Sequence, residues 1–197
     1  MKRNTVELKE LLIQTGVEEI KNHGIDQLSL RTVAKTCGVT HGAPYKHFGS
    51  KEGYLQTLLS RLSDIYQQNM MGGIDKASPA REQLLLMGFQ FVRFAKSNPY
   101  IFEAIFIKYP FNHIEIKENT IITDASLPGF ENFKKIVIQL CQEESLSISE
   151  GDVLVHFWSF ISGFAIIVKS SIGSNVDDAA IKQNIHHMLK VYIEGGK

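Results

Sequence analysis

The chain has 197 residues, 44% of them hydrophobic and 21% charged, with 21 Lys+Arg against 21 Asp+Glu. This composition excludes a mainly disordered chain and supplies enough apolar material for one domain, or for a small domain fused to a larger one. The balanced charge excludes a global attraction to nucleic acid or anionic membrane, so any polyanion site has to be local.

Cys37 and Cys141 lie far apart and offer neither a disulfide framework nor a metal-ligand set, so a reducing cytoplasm is expected, with no metal and no cofactor. Glu7, Lys9 and Glu10 interrupt the apolar run that a signal peptide would need. The most apolar stretch, 153–168, is shorter than the roughly 20 residues that cross a bilayer, and reads as a buried helix.

Hydrophobic spacing stays close to 3.6 along the chain, which predicts an all-α protein of about nine helices. The first helix runs from about Val6 to Asn22, with Leu12, Ile13, Gly16, Val17 and Ile20 on one stripe and Gly24 as its stop. Gly16 inside that stripe implies close approach by another helix. A second helix opens on Ser29 and ends at Gly38, a third starts at Thr40, and a fourth starts at Ser50 and runs to Gly72-Gly73. Further helices are expected at about 79–97, 99–108, 129–143, 149–171 and 176–194, with 109–128 unassigned and no strand proposed.

Between Asp26 and Glu52 lie 25 residues without a carboxylate, and they include Arg31, Lys35, Lys46 and Lys51. Such a local excess suits a phosphate-facing surface. The order helix, Gly-containing turn, helix is the spacing of a helix-turn-helix, whose second helix presents its N-terminal residues to the major groove. Thr40, His41, Gly42 and Ala43 would form that leading edge, with small residues permitting close approach, while Tyr45, Lys46 and His47 can donate to phosphates. Spacing and charge alone are equally compatible with a solvated basic face over a helical hairpin.

The run LSLRTVAKTCGVTHGAPYKHFGSKEGYLQTLL, residues 28–59, resembles the N-terminal domain of the tetracycline-repressor (TetR) family of transcriptional regulators. The matching positions are Ser29, Arg31, Val33-Ala34, Cys37-Gly38-Val39-Thr40, Tyr45, His47-Phe48 and Ser50-Lys51-Glu52. The resemblance implies a three-helix DNA-binding domain over 1–53 and a helical effector-binding and dimerisation domain over 54–197. It also implies phosphate contacts by Tyr45, His47 and Lys51, a place for Arg31 near the backbone or groove, and core roles for Val33, Ala34, Val39 and Phe48. Pro44 departs from the family pattern, removes an intrahelical hydrogen bond and biases Ala43 away from helical angles, so the recognition helix is expected to start late or irregularly.

Of the 19 aromatic residues, 15 follow residue 84. A helical domain so rich in rings can frame an apolar ligand site, although the same rings also suffice to fill a core. Phe91, Phe102, Phe106, Trp158 and Ser162 are the candidate effector residues. The segment HFWSFISGF, 156–164, resembles a C-terminal subfamily marked by a Trp and a later His-Gly pair, with Ser162 in place of that His. His156, inside the apolar helix, reads as a core or pocket histidine.

The helix over 149–171 is apolar on nearly every side, and the last helix carries Ile181, Ile185, Met188, Leu189 and Tyr192 on one stripe. Together with Phe157 and Ile161 these predict a two-fold homodimer interface. No HExxH, GxSxG, P-loop or GxGxxG is present, and no enzymatic activity is expected. The expectation is a cytoplasmic, homodimeric repressor that leaves an approximately palindromic double-stranded operator when it binds a small, largely apolar effector. The alternative is a helical small-molecule carrier without a DNA function; no membrane partner is expected.

Overall fold

The computed structural model describes residues 5–70, 72–109, 114–117, 120–123, 128–170 and 175–197. Its described elements are α1 (Thr5–His23), a 3-10 turn (Ile25–Gln27), α2 (Leu30–Thr36), α3 (Ala43–Phe48), α4 (Lys51–Met70), α5 (Ala80–Ser97) and α6 (Pro99–Glu103). A π turn (Ala104–Lys108), strands β1 (Ile114–Lys117) and β2 (Thr120–Thr123), and helices α7 (Pro128–Glu144), α8 (Glu150–Lys169) and α9 (Asp178–Gly196) complete them. The fold is all-α apart from one small hairpin.

Two compact units share the chain: residues 1–66 with 98–110, and residues 67–97 with 111–197. The first is built around α1, whose buried side is the predicted stripe Leu12, Ile13, Gly16, Val17 and Ile20. At Gly16 a Cβ would run into the Tyr54 hydroxyl and come within 2.9 Å of Leu58, so the absent side chain is what lets α4 approach α1. Fully buried Tyr54 uses that room to donate from Oη to the Leu12 carbonyl at 2.6 Å. Burial pushes its phenol pKa up, so the hydroxyl keeps its proton and stays a donor. Further along the same pair of helices, Arg61 donates to both carboxylate oxygens of Glu10 at 2.8 and 3.0 Å.

Local chemistry sets the other boundaries of this unit. Gly24 adopts φ +84°, and the Tyr100 ring of α6 lies 3.2 Å from where its Cβ would stand. Ser29 Oγ accepts from Thr32 N and opens α2, while Ser50 Oγ accepts from Gly53 N at 2.9 Å and opens α4. Lys108 of the π turn reaches Asp26 at 2.7 Å, and Phe106 meets Tyr66 edge-on with ring centroids 5.0 Å apart.

In the second unit α5 is the central helix, packed by α7, α8 and α9. Gly88 makes that possible: a Cβ there would lie 3.2 Å from Ile161 of α8 and 3.4 Å from Ile185 of α9. Helix α5 starts where its Ala80 N–H donates to Glu143 Oε2 of α7 at 2.9 Å. Ser149 and Asp177 cap α8 and α9 by accepting from Asp152 N and Ala180 N. By length and composition α8 would suffice to cross a membrane; in this fold Val153, Leu154, Phe157, Ile161, Ala165 and Val168 bury one side of it.

The hairpin corrects the expectation that no strand would form. Strands β1 and β2 pair antiparallel, with Ile114 opposite Thr123 and Lys117 opposite Thr120. The alternation Ile-Glu-Ile-Lys carried the signal, but four residues are too few to separate strand from loop without the pairing partner. Strand β2 packs on α8 and buries Ile121.

Candidate nucleic-acid interface and aromatic cluster

The acid-free stretch forms α2, a turn through Gly38 at φ +69°, and α3. Helix α3 begins at Ala43, with Gly42 as its cap residue and Pro44 within its first turn. Thr40 is thus not the N-cap that the spacing suggested; its carbonyl accepts from Ala43 N at 2.9 Å in the turn that precedes the helix. Pro44 explains the delay, because its missing N–H is harmless only within the first turn, and the ring itself is buried in the unit.

Arg31, Thr40, His41, Tyr45, Lys46 and Lys51 are exposed, while Ser29, Gly42, Ala43 and His47 are half-buried. Tyr45 is 47% exposed, a large aromatic left in solvent rather than in the core. His47 stacks loosely on Phe48, with ring centroids 6.1 Å apart, and the Phe48 ring packs against Tyr54. Buried Val33 and Ala34 are core, and Cys37 places its sulfur 3.2 Å from Thr15 Oγ1.

Charge pairing separates the described bases of this unit into two groups, apart from Lys9, which lies 5.7 Å over the Phe48 ring. Arg61 is held by Glu10, Lys108 by Asp26 and Lys21 by Glu18. Arg31, Lys35, Lys46 and Lys51 are exposed, and none of them pairs with an acid among the described residues. Exposed cations in a stretch of chain without carboxylates are available to an external anion.

In the second unit, Phe91 of α5, Phe130 and Phe133 of α7 and Trp158 of α8 form a ring cluster. The Trp158 centroid lies 5.7 Å from Phe91, 5.4 Å from Phe130 and 6.1 Å from Phe133. Ser162, one turn beyond Trp158, has a buried Oγ without a hydrogen-bond partner among the described residues. Three of the five sequence-assigned effector residues therefore belong to this unit. Phe102 and Phe106 belong to the first unit, where their centroids are 4.9 Å apart. Phe130 and Phe133 went unassigned; their three-residue spacing at the start of a helix was the available signal.

The dimer assignment needs correcting at most of its positions. Phe157, Ile161, Ile181, Ile185 and Leu189 are no more than 9% exposed within the single chain, where α5 packs on α8 and α9, Gly88 faces Ile161 and Ile185, and Phe157 meets Tyr192. Met188 and Tyr192 are half-buried. The large apolar side chains that α8 and α9 leave to solvent are Ile166, Ile167 and Val191, 48%, 54% and 58% exposed. His156 is likewise exposed rather than buried, and its Nδ1 lies 2.8 Å from Tyr192 Oη.

A helix-turn-helix with exposed, unpaired cations, followed by a helical unit with an aromatic cluster, has the layout of a DNA-binding regulator. Residues 12–57 match the family model for bacterial regulatory proteins of the tetR family. Over 177 residues the chain is 25% identical to the "Probable acrEF/envCD operon repressor" of Escherichia coli K12, covering 86% of this chain and 78% of that one. Among solved structures, a protein of unknown function from Rhodococcus sp. RHA1 superposes with a TM-score of 0.70 at 16% identity, over 96% of each chain. A TetR-like transcriptional regulator from the same organism gives 0.63 at 13% identity over the whole of both chains. RolR in complex with resorcinol gives 0.61 at 14% identity, over 98% of this chain and 92% of that one. Residues 12–57 thus carry the DNA-binding region of the tetR family, and the chain as a whole has the fold of TetR-like regulators.

Proposed function

We propose that this protein is a TetR-family homodimeric repressor that holds an approximately palindromic operator and leaves it when a small, largely apolar effector binds. The observation that carries the reading is the carboxylate-free stretch 27–51, in which Arg31, Lys35, Lys46 and Lys51 stand exposed and unpaired among the described residues, while Arg61, Lys108 and Lys21 are paired. In this reading Thr40, His41, Gly42 and Ala43 approach base edges, and Ser29, Arg31, Tyr45, Lys46, His47 and Lys51 hold the phosphate backbone. The functional division lies near residue 53, with the DNA-reading part before it.

The second unit contributes the effector site and the contact between copies. Exposed Ile166, Ile167 and Val191 on α8 and α9 are the apolar surface offered to a second chain. A two-fold pair presents two copies of α3 to half-sites about one helical turn, or a multiple, apart. The effector acts by preferring one separation of the two heads, with α4 as the continuous helix leading from the DNA-reading part. The relative that is described with resorcinol supports a small-molecule effector for this fold, and a regulator of this kind works in the cytoplasm without an enzymatic step.

Gel-shift titration on the DNA upstream of the protein's own gene, over a range of salt concentrations, tests the reading. A shift that weakens steeply with salt is expected. Absence of any shift in dilute buffer would favour the carrier alternative.

A further inference from the structure

Serine inside a helix ordinarily discharges its hydroxyl on a backbone carbonyl of the preceding turn. Thr57, inside α4, does the same: its Oγ1 donates to the Gly53 carbonyl at 2.8 Å. Ser162 in the middle of α8 does not, although its Oγ is shut away from solvent. One other buried side-chain atom is unpartnered among the described residues, Gln90 Oε1, but that amide is already anchored through Nε2 on the Gly72 carbonyl. Ser162 has no such second anchor. A polar group buried among apolar neighbours without a partner is costly, and where it persists it commonly marks a place for something absent.

Its surroundings narrow the chemistry of that absent partner. Four residues along a helix is about one turn, so Ser162 and Trp158 share a face of α8. Trp158 stands among Phe91, Phe130 and Phe133, with all three centroids within 6.1 Å of its own. None of these five side chains carries a charge. Such a lining stacks on a flat apolar body, accepts one hydrogen-bonding group and penalises an ion left without a countercharge.

Resting on the regulator reading above, we propose that the cluster around Trp158 receives a flat, uncharged, mainly apolar effector whose single hydroxyl or carbonyl hydrogen-bonds Ser162 Oγ. The hydroxyl is both donor and acceptor, so either group serves. Ser162 sets the preference for an oxygenated over a purely hydrocarbon ligand, while the rings provide most of the burial.

Trp158 is the sole tryptophan of the chain, so its fluorescence reports on this cluster without dissection. The probes are p-cresol, p-xylene and the p-toluate anion; the first two differ only in an O–H replaced by a methyl group. The expected result is saturable perturbation of Trp158, with p-cresol bound about tenfold more tightly than p-xylene, the factor one neutral hydrogen bond supplies, and p-toluate bound weakest. Ser162→Ala should bring the cresol-to-xylene ratio to about one by weakening cresol alone. The variant should melt no lower than the parent, because it deletes an unpaired hydroxyl. An unchanged ratio in Ser162→Ala, tightest binding of p-toluate, or no saturable response to any probe would overturn the proposal. Gel shifts on the same samples separate this inference from its foundation. DNA binding without any arene binding removes the inference alone, whereas Ser162-dependent arene binding without DNA affinity upholds it and removes the regulator reading.

Discussion

The two units leave different groups unpaired. In the first, polar and charged groups that join helices all have partners: Tyr54 has the Leu12 carbonyl, Arg61 has Glu10 and Lys108 has Asp26. Cations without an acid partner among the described residues include the exposed ones of α2, α3 and the start of α4. In the second unit two buried atoms go unpartnered among the described residues: Gln90 Oε1, whose amide is anchored through Nε2, and the Ser162 hydroxyl on α8, one turn from the Trp158 cluster. On the readings proposed above, the unpaired cations await a polyanion and the Ser162 hydroxyl a small uncharged molecule.

That contrast can be broken by substitution. The largest effect is expected from Gly16→Val, which puts a branched side chain where Tyr54 and Leu58 already stand; it should lower unfolding stability by about 3 kcal/mol in denaturant titration, at the upper end for overpacking. Next in size, the double variant Arg31→Ala with Lys51→Ala should leave stability within about 0.5 kcal/mol. Its DNA affinity at moderate salt should fall at least about tenfold, and the slope of log affinity against log salt should flatten by roughly two units. An unaltered slope would show that those two cations face solvent and not phosphate.

Smaller changes sharpen the other side. Tyr54→Phe removes one buried hydrogen bond and should cost about 1 kcal/mol in the same denaturant assay, with no change in salt slope. Glu10 gives the smallest effect. Its hydrogen bonds and attraction to Arg61 hold the carboxyl below the ordinary value of 4.5. The pair therefore contributes above that pH, and its contribution is lost as pH falls through the lowered folded-state value. Because both side chains are over a third exposed, screening keeps the contribution under about 1 kcal/mol. Melting curves of Glu10→Gln and the parent should converge in acid and separate slightly near neutrality.

How much of this was legible in the sequence depended on range. Elements ruled by nearest neighbours were readable: the Ser29 cap, the start of α8 at about 149, the Gly24 stop, and the Pro44 disturbance that delays α3. Gly16 was readable as a close approach, though not which side chain fills the room. The dimer stripe was misplaced because periodicity says that Ile181, Ile185 and Leu189 share a face, but not what covers it. Helix α5 packs on α9, and Gly88, which admits it, gives no sign of its role along the chain. Phe130 and Phe133 escaped for the same reason, since their relation to Trp158 depends on how α7 lies against α8. Ser162 was readable as a candidate effector residue and a departure from a motif; that its hydroxyl goes unmatched is a property of three-dimensional surroundings.

The grouping of 98–110 with the first 66 residues bears on how this repressor can be re-engineered. A hybrid made by grafting the amino-terminal head onto a foreign sensor would strip Gly24 of Tyr100, Asp26 of Lys108 and Tyr66 of Phe106. Any transplant of operator specificity therefore has to carry a second, discontinuous piece of chain along with the first.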